Sequence, residues 1–150
     1  MKKLLSKGLG ITMLLGLTHG CGASQHEDTI RISVEVASEI LLRIERYADE
    51  HLAEDRERSI ARGDLRAERE AEAFWSAIYN LLYIAHGYLL DSLRAGDFGD
   101  EEALSHALRC YREVITDIDT NITARGLSIA PFLHSAVSLL PKDEVRQCRY

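Results

Sequence analysis

Apolar residues along this chain recur at steps of three and four, the spacing that lines one face of an α-helix. Ile30, Val34, Ala37, Leu41, Ile44, Ala48 and Leu52 form one such stripe and predict a helix from about Thr29 to Arg62. Ala71, Phe74, Trp75, Ile78, Leu81, Leu82, Ala85 and Leu89 form a second, within a helix from about Leu65 to Arg94. Leu104, Leu108, Tyr111, Ile115, Ile118 and Ile122 form a third, in a helix that begins at Asp100-Glu101-Glu102 and runs to Arg125. Ser128 is expected to cap a short fourth helix that ends at Leu140, before Pro141.

The breaks between these stripes are chemically sharp. Glycine suits the left-handed position just past a helix, and an aspartate directly after it can cap the next one. Gly63-Asp64 has that form, and Gly96-Asp97-Phe98-Gly99 reads as a turn before the acidic start of the third helix. One stretch is ambiguous. Ile30-Arg31-Ile32-Ser33-Val34-Glu35-Val36 alternates like a strand. The chain offers no second strand to pair with it, so it is read as the start of the first helix, the alternative being an edge strand that pairs with another protein. The fold class that follows is all-α: an irregular three- to four-helix bundle built on a long antiparallel helical hairpin.

Charge is distributed unevenly over this pattern. Between Glu54 and Glu72, twelve of nineteen residues are charged, whereas Ile30–Leu52 and Ala71–Leu93 are rich in apolar residues. The hairpin therefore has a packed base and a polar tip. Pairs such as Glu54 and Arg58 stand at helical spacing and account for much of the tip as a solvated surface, with Arg62 and Arg66 as a like-charge exception.

The first segment has a different logic. Lys2, Lys3 and Lys7 precede an apolar run from Gly8 to Leu17, with small residues around position 20. A cationic start, an apolar centre and a small-residue end make a secretory signal. The run spans about ten residues, too few for a helix to cross roughly 30 Å of hydrocarbon. Residues 1–20 are thus read as a signal peptide, 21–28 as a tether and 29–150 as the helical domain. Removing the signal takes three lysines with it, so the formal charge shifts from −6 to −9. That acidic balance, together with export, speaks against a nucleic-acid partner.

The junction Leu17-Thr18-His19-Gly20-Cys21 resembles the lipobox of bacterial lipoproteins, in which a cysteine behind a small residue ends the apolar run. Gly20 fits that pattern. Thr18 and His19 depart from it, because the aliphatic residue, Leu17, stands one place early. The resemblance implies a lipid on Cys21, a membrane partner reached through that lipid, and an anchored protein at the periplasmic face of the cell envelope. The alternative is ordinary cleavage after Cys21-Gly22-Ala23, giving a soluble periplasmic or secreted protein. Cysteine usage bears on the choice. With Cys21 lipidated, Cys110 and Cys148 remain as an even pair in an oxidising compartment, where a disulfide is expected; two free thiols are the alternative.

Candidate chemistry is sparse. No histidine has a glutamate three positions before it, which excludes the di-iron bundle pattern. Zinc and haem-attachment motifs are also missing, and so is a glycine-rich phosphate loop. His51, with Glu54 and Asp55 within helical reach, is the best arrangement for a metal, but a surface histidine beside acids is the ordinary case; no metal and no cofactor are expected. Tyr79, Tyr83 and His86 share one side of the second helix and are a candidate ligand face, or else the half-wet margin of a core. The functional expectation is a non-enzymatic, protein-binding envelope lipoprotein of inhibitor, immunity or scaffold type, with an unknown envelope protein as partner. The alternative is a periplasmic carrier of a small molecule, haem or metal that uses the second-helix face.

Overall fold

A computed structural model describes residues 23–129, 132–141 and 148. Four helices follow one another: α1 (Ala23–Arg62), α2 (Leu65–Asp97), α3 (Glu101–Ala124) and α4 (Phe132–Val137). No strand occurs among the described residues. Helix α2 is central and packs against both α1 and α3, while the short α4 rests on α1. The result is the all-α bundle on a long hairpin that the periodicity predicts. Residues 1–22, on which the expected signal peptide and Cys21 fall, lie outside the described residues.

Two of the connections are built alike. At Gly63 (φ 63°) and Gly99 (φ 68°) the backbone turns left-handed, where a side chain would be strained. The following amide reaches back to close each helix: Asp64 N to Ser59 O at 3.1 Å, and Asp100 N to Ala95 O at 2.9 Å. The same two aspartates then start the next helix, since Asp64 accepts from Ala67 N and Asp100 from Ala103 N, both at 3.0 Å. A Gly-Asp pair thus ends one helix and caps another with no spare residue.

The helix limits correct the expectations at two places. Helix α1 begins at Ala23, six residues before the expected start, so residues 23–28, read as a tether, are helical; residues 30–36 are helix, as expected. Helix α4 covers only 132–137, although residues 128–140 were expected to be helical. Pro131 has no amide hydrogen and biases the residue before it away from helix, which opposes a start at Ser128. The Ser128 hydroxyl caps nothing and instead donates to Ile129 O at 3.4 Å. Beyond Val137 the chain tightens into three-residue turns, with Leu139 N on Ala136 O at 3.1 Å and Leu140 N on Val137 O at 3.2 Å.

The core follows the three stripes. Ala37, Leu41, Ile44 and Ala48 of α1, Trp75, Ile78, Leu82 and Ala85 of α2, and every expected position of α3 are buried. Ile40 joins them on the side of α1 that faces α4. Tyr111 ties α3 to α1, its hydroxyl donating to Ala37 O at 2.6 Å. Burial, reinforced by the charge of Glu45, pushes the Tyr111 phenol well above its ordinary range.

Cys110 and Cys148 form a disulfide, with Sγ atoms 2.15 Å and Cα atoms 5.4 Å apart. Cys110 is fully buried in the middle of α3, so the bridge fixes Cys148 to the core. Arg112 adds a second tie, donating to Pro141 O at 3.2 Å. By the loop-closure argument a bridge across this separation stabilises the fold by about 4 kcal/mol.

One position in α2 works against its own helix. Gly87 lies near the middle on the exposed side, and a methyl group added there would meet nothing within 4 Å. An interior glycine costs a helix about 1 kcal/mol relative to alanine. Among the described residues no contact at this position offsets that cost.

Candidate functional site

The end of the hairpin is the most distinctive surface of the molecule. Most residues from Glu54 to Glu72 are exposed, and their ion pairs are chiefly local: Arg58 with Glu54 at 4.0 Å and Arg66 with Glu70 at 2.8 Å. Arg56 reaches from α1 to Glu72 on α2 at 3.4 Å. Arg62 and Arg66, a like-charge pair by spacing, are separated by the Gly63-Asp64 turn and do not share a helix face. Exposed ion pairs of this kind contribute little stability. Among the charges stand two large apolar side chains, Ile60 at 62% and Leu65 at 68% exposure, one on each side of the turn. They contribute nothing to the core, since Ile60 faces away from the stripe and Leu65 opens α2 before its stripe begins.

Beneath this surface the tip is braced. Asp55 is the residue that joins three helices. Its Oδ2 accepts from the Trp75 indole at 2.9 Å and from Arg125 Nη2 at 3.3 Å, while Oδ1 accepts from Arg58 at 3.2 Å. Trp75 is fully buried on α2, and Arg125 caps the end of α3 while lying 4.4 Å over the Phe74 ring. Phe74 meets Trp75 edge-on at 4.9 Å, and His51 lies nearly parallel to the indole at 6.2 Å. Hydrogen bonds to a charged, largely buried acceptor are worth roughly 1.5–3 kcal/mol. Asp55 therefore holds the last turns of the hairpin to the rest of the bundle.

That arrangement also settles the best sequence candidate for a metal. His51 Nδ1 lies 3.3 Å from Glu54, but Asp55 is turned inward to Trp75 and Arg125. The three side chains do not converge. Among the described residues no group of three or more histidine, cysteine, aspartate or glutamate side chains is placed to hold a metal ion.

Tyr79, Tyr83 and His86 lie along α2 as their spacing requires. The Tyr79 hydroxyl is committed to Asp49 on α1 in a short hydrogen bond, and its pKa is pushed up to about 12, first by burial and then by that bond and the charge of Asp49. Tyr83 stands 81% exposed and His86 is exposed. Two surface grooves lie elsewhere. One of about 760 Å³ runs between α1 and α4, past Val36, Ile40, Ala136 and Leu139. The other, of about 270 Å³, lies between α3 and α4 beside Arg112, Asp119 and His134, with His134 Nε2 3.6 Å from Asp119. Neither is lined by the three residues of the second-helix face.

Sequence reasoning missed the Asp55 cluster. Asp55 stands within a run of charged residues and has no local mark that separates it from its exposed neighbours. The usable signal is Trp75: a buried indole needs an acceptor, and the hairpin turn sets residue 55 opposite it. Searches by protein-family model, against curated proteins and against solved structures find no match to this chain.

Proposed function

We propose that this chain is an exported envelope lipoprotein, anchored by a lipid on Cys21, whose helical domain binds another envelope protein through the hairpin tip and carries out no chemistry of its own. The observation that carries this reading is the pairing of Ile60 and Leu65, exposed on both sides of a braced turn. Binding energy at protein interfaces concentrates in a few apolar anchors surrounded by polar residues. Two aliphatic side chains ringed by arginines and carboxylates, on a support that need not reorganise, have that composition. The ordering cost of association is reduced accordingly.

The anchor supports the same reading. Helix α1 is continuous from Ala23, two residues after Cys21, to Arg62. At 1.5 Å per residue it holds the tip roughly 60 Å from its own start. A lipid at Cys21 makes α1 a stalk, with the apolar pair at its far end.

The test is a photo-reactive residue placed in the living host at Leu65, with Glu113 on α3 as the control position. The expected result is one discrete adduct from Leu65 that disappears when Ile60→Glu is added, and none from Glu113. Equal adducts from both positions, or none from a tip that is present and folded, would contradict the proposal.

A further inference from the structure

From Ala73 to Leu90, α2 contains no aspartate, glutamate, lysine or arginine, in a chain where 28% of residues are charged. Burial explains only the inward half of this run. Ser76, Asn80, Tyr83, Gly87 and Leu90 follow one another at steps of four and three, so they share one line along the helix, and all are exposed. A helix face that meets water is ordinarily polar and charged. Charge returns only at the two ends, with Glu72 paired to Arg56 and Asp91 paired to Arg94 at 3.6 Å. Fourth of the five on this line is Gly87, where an added side chain would meet nothing within 4 Å among the described residues.

We propose that this line is the contact surface between two copies of the chain, with their α2 helices running parallel and crossing at Gly87. A two-fold axis along the helices sets each residue at the contact opposite its own copy. Any charge on the line would then face a like charge, and the line has none over its whole length. Two acidic chains, each with formal charge −6, meet with least repulsion through such a surface. The absent side chain at position 87 lets the two backbones approach, and Tyr83 and Leu90 pack on either side of the crossing. Both α1 helices then begin at the same end of the dimer. This contact lies on the side of α2, away from the tip, and stands whether or not the tip binds a partner.

The test uses the full chain in detergent with micelles in large excess, its mass measured by sedimentation at about 100 µM, where weak specific pairing is populated. A dimer is expected. Gly87→Leu points into open space in a single protomer, so at concentrations too low for pairing it melts no lower than the parent, yet it weakens self-association by at least about tenfold. Tyr83→Cys is expected to give a disulfide-linked dimer on mild oxidation, and Glu113→Cys none. A single-protomer mass for the parent chain, or a dimer unaffected by Gly87→Leu, overturns the proposal. A dimer lost in Gly87→Leu but never linked through Tyr83→Cys overturns the parallel arrangement.

Discussion

The indole Nε1 of Trp75 donates to Oδ2 of Asp55 at 2.9 Å, beneath the hairpin tip, and the same oxygen receives Arg125 from the end of α3. This one carboxylate connects α1, α2 and α3. The only tryptophan in the chain is also the one at this junction, so its fluorescence reports the state of the brace directly.

Replacing Asp55 by alanine leaves a buried indole N–H without its acceptor and Arg125 without its counter-charge. The expected loss is about 2–3 kcal/mol of unfolding free energy, with altered Trp75 emission already in the folded state. Asp55→Asn keeps an acceptor and is expected to lose about half as much. Urea unfolding followed by fluorescence and by circular dichroism distinguishes the two. An Asp55→Ala protein as stable as the parent would show that the brace contributes nothing.

Alkaline pH gives a second handle, through Tyr79. Its pKa is raised from 10.0 to about 12, by burial first and then by the hydrogen bond to Asp49, so the fold favours the neutral phenol. Stability from this source is complete below pH 10 and is lost as pH rises through about 12. Tyr111, raised by its own burial, acts in the same direction. Unfolding free energies measured across this window should fall, and should fall less steeply in Tyr79→Phe. Identical slopes for both proteins would refute the assignment.

The disulfide can be tested from its Cys148 end. Cys148→Ser breaks the bridge while leaving Cys110 in its buried place, with an expected loss of up to about 4 kcal/mol from the released loop. Reduction of the parent chain should lower its unfolding midpoint by the same amount. A midpoint unmoved by either treatment would mean that the bridge does not constrain the unfolded chain.

Two glycines should respond oppositely to alanine. At concentrations too low for pairing, Gly87→Ala adds a methyl group in open space within a helix and is expected to stabilise the single protomer by about 1 kcal/mol. Gly63→Ala forces a side chain into a backbone at φ 63° and is expected to destabilise it by a similar amount. Thermal unfolding of the two variants beside the parent is sufficient. Equal shifts of the same sign would contradict the backbone reading.

Much of this fold was legible in the sequence because it is written in local rules. Every expected core position of α3 is buried, and the Gly63-Asp64 break is the turn, with Asp64 as the cap. The fourth helix is shorter than its capping signal at Ser128 suggests, because Pro131 has no amide hydrogen to give a helix that starts there. The candidate site was less legible for a physical reason. Whether Asp55 faces water or Trp75 depends on how two helices and the end of a third meet, over separations of 20 and 70 residues. Periodicity carries no such information. The second-helix stripe was read from spacing alone, which brings Tyr79, Tyr83 and His86 to one side but does not tell a committed hydroxyl from an exposed ring.

The orientation of tip and base rests on a lipid at Cys21, and the intact mass of protein extracted from host envelopes, with and without reductant, tests it most directly. The expected mass is that of a chain beginning at Cys21 with added acyl groups, rising by two hydrogens on reduction as the Cys110–Cys148 bridge opens. A lipid-free chain beginning near Ser24 would contradict the anchor, and the stalk-and-tip geometry would fall with it.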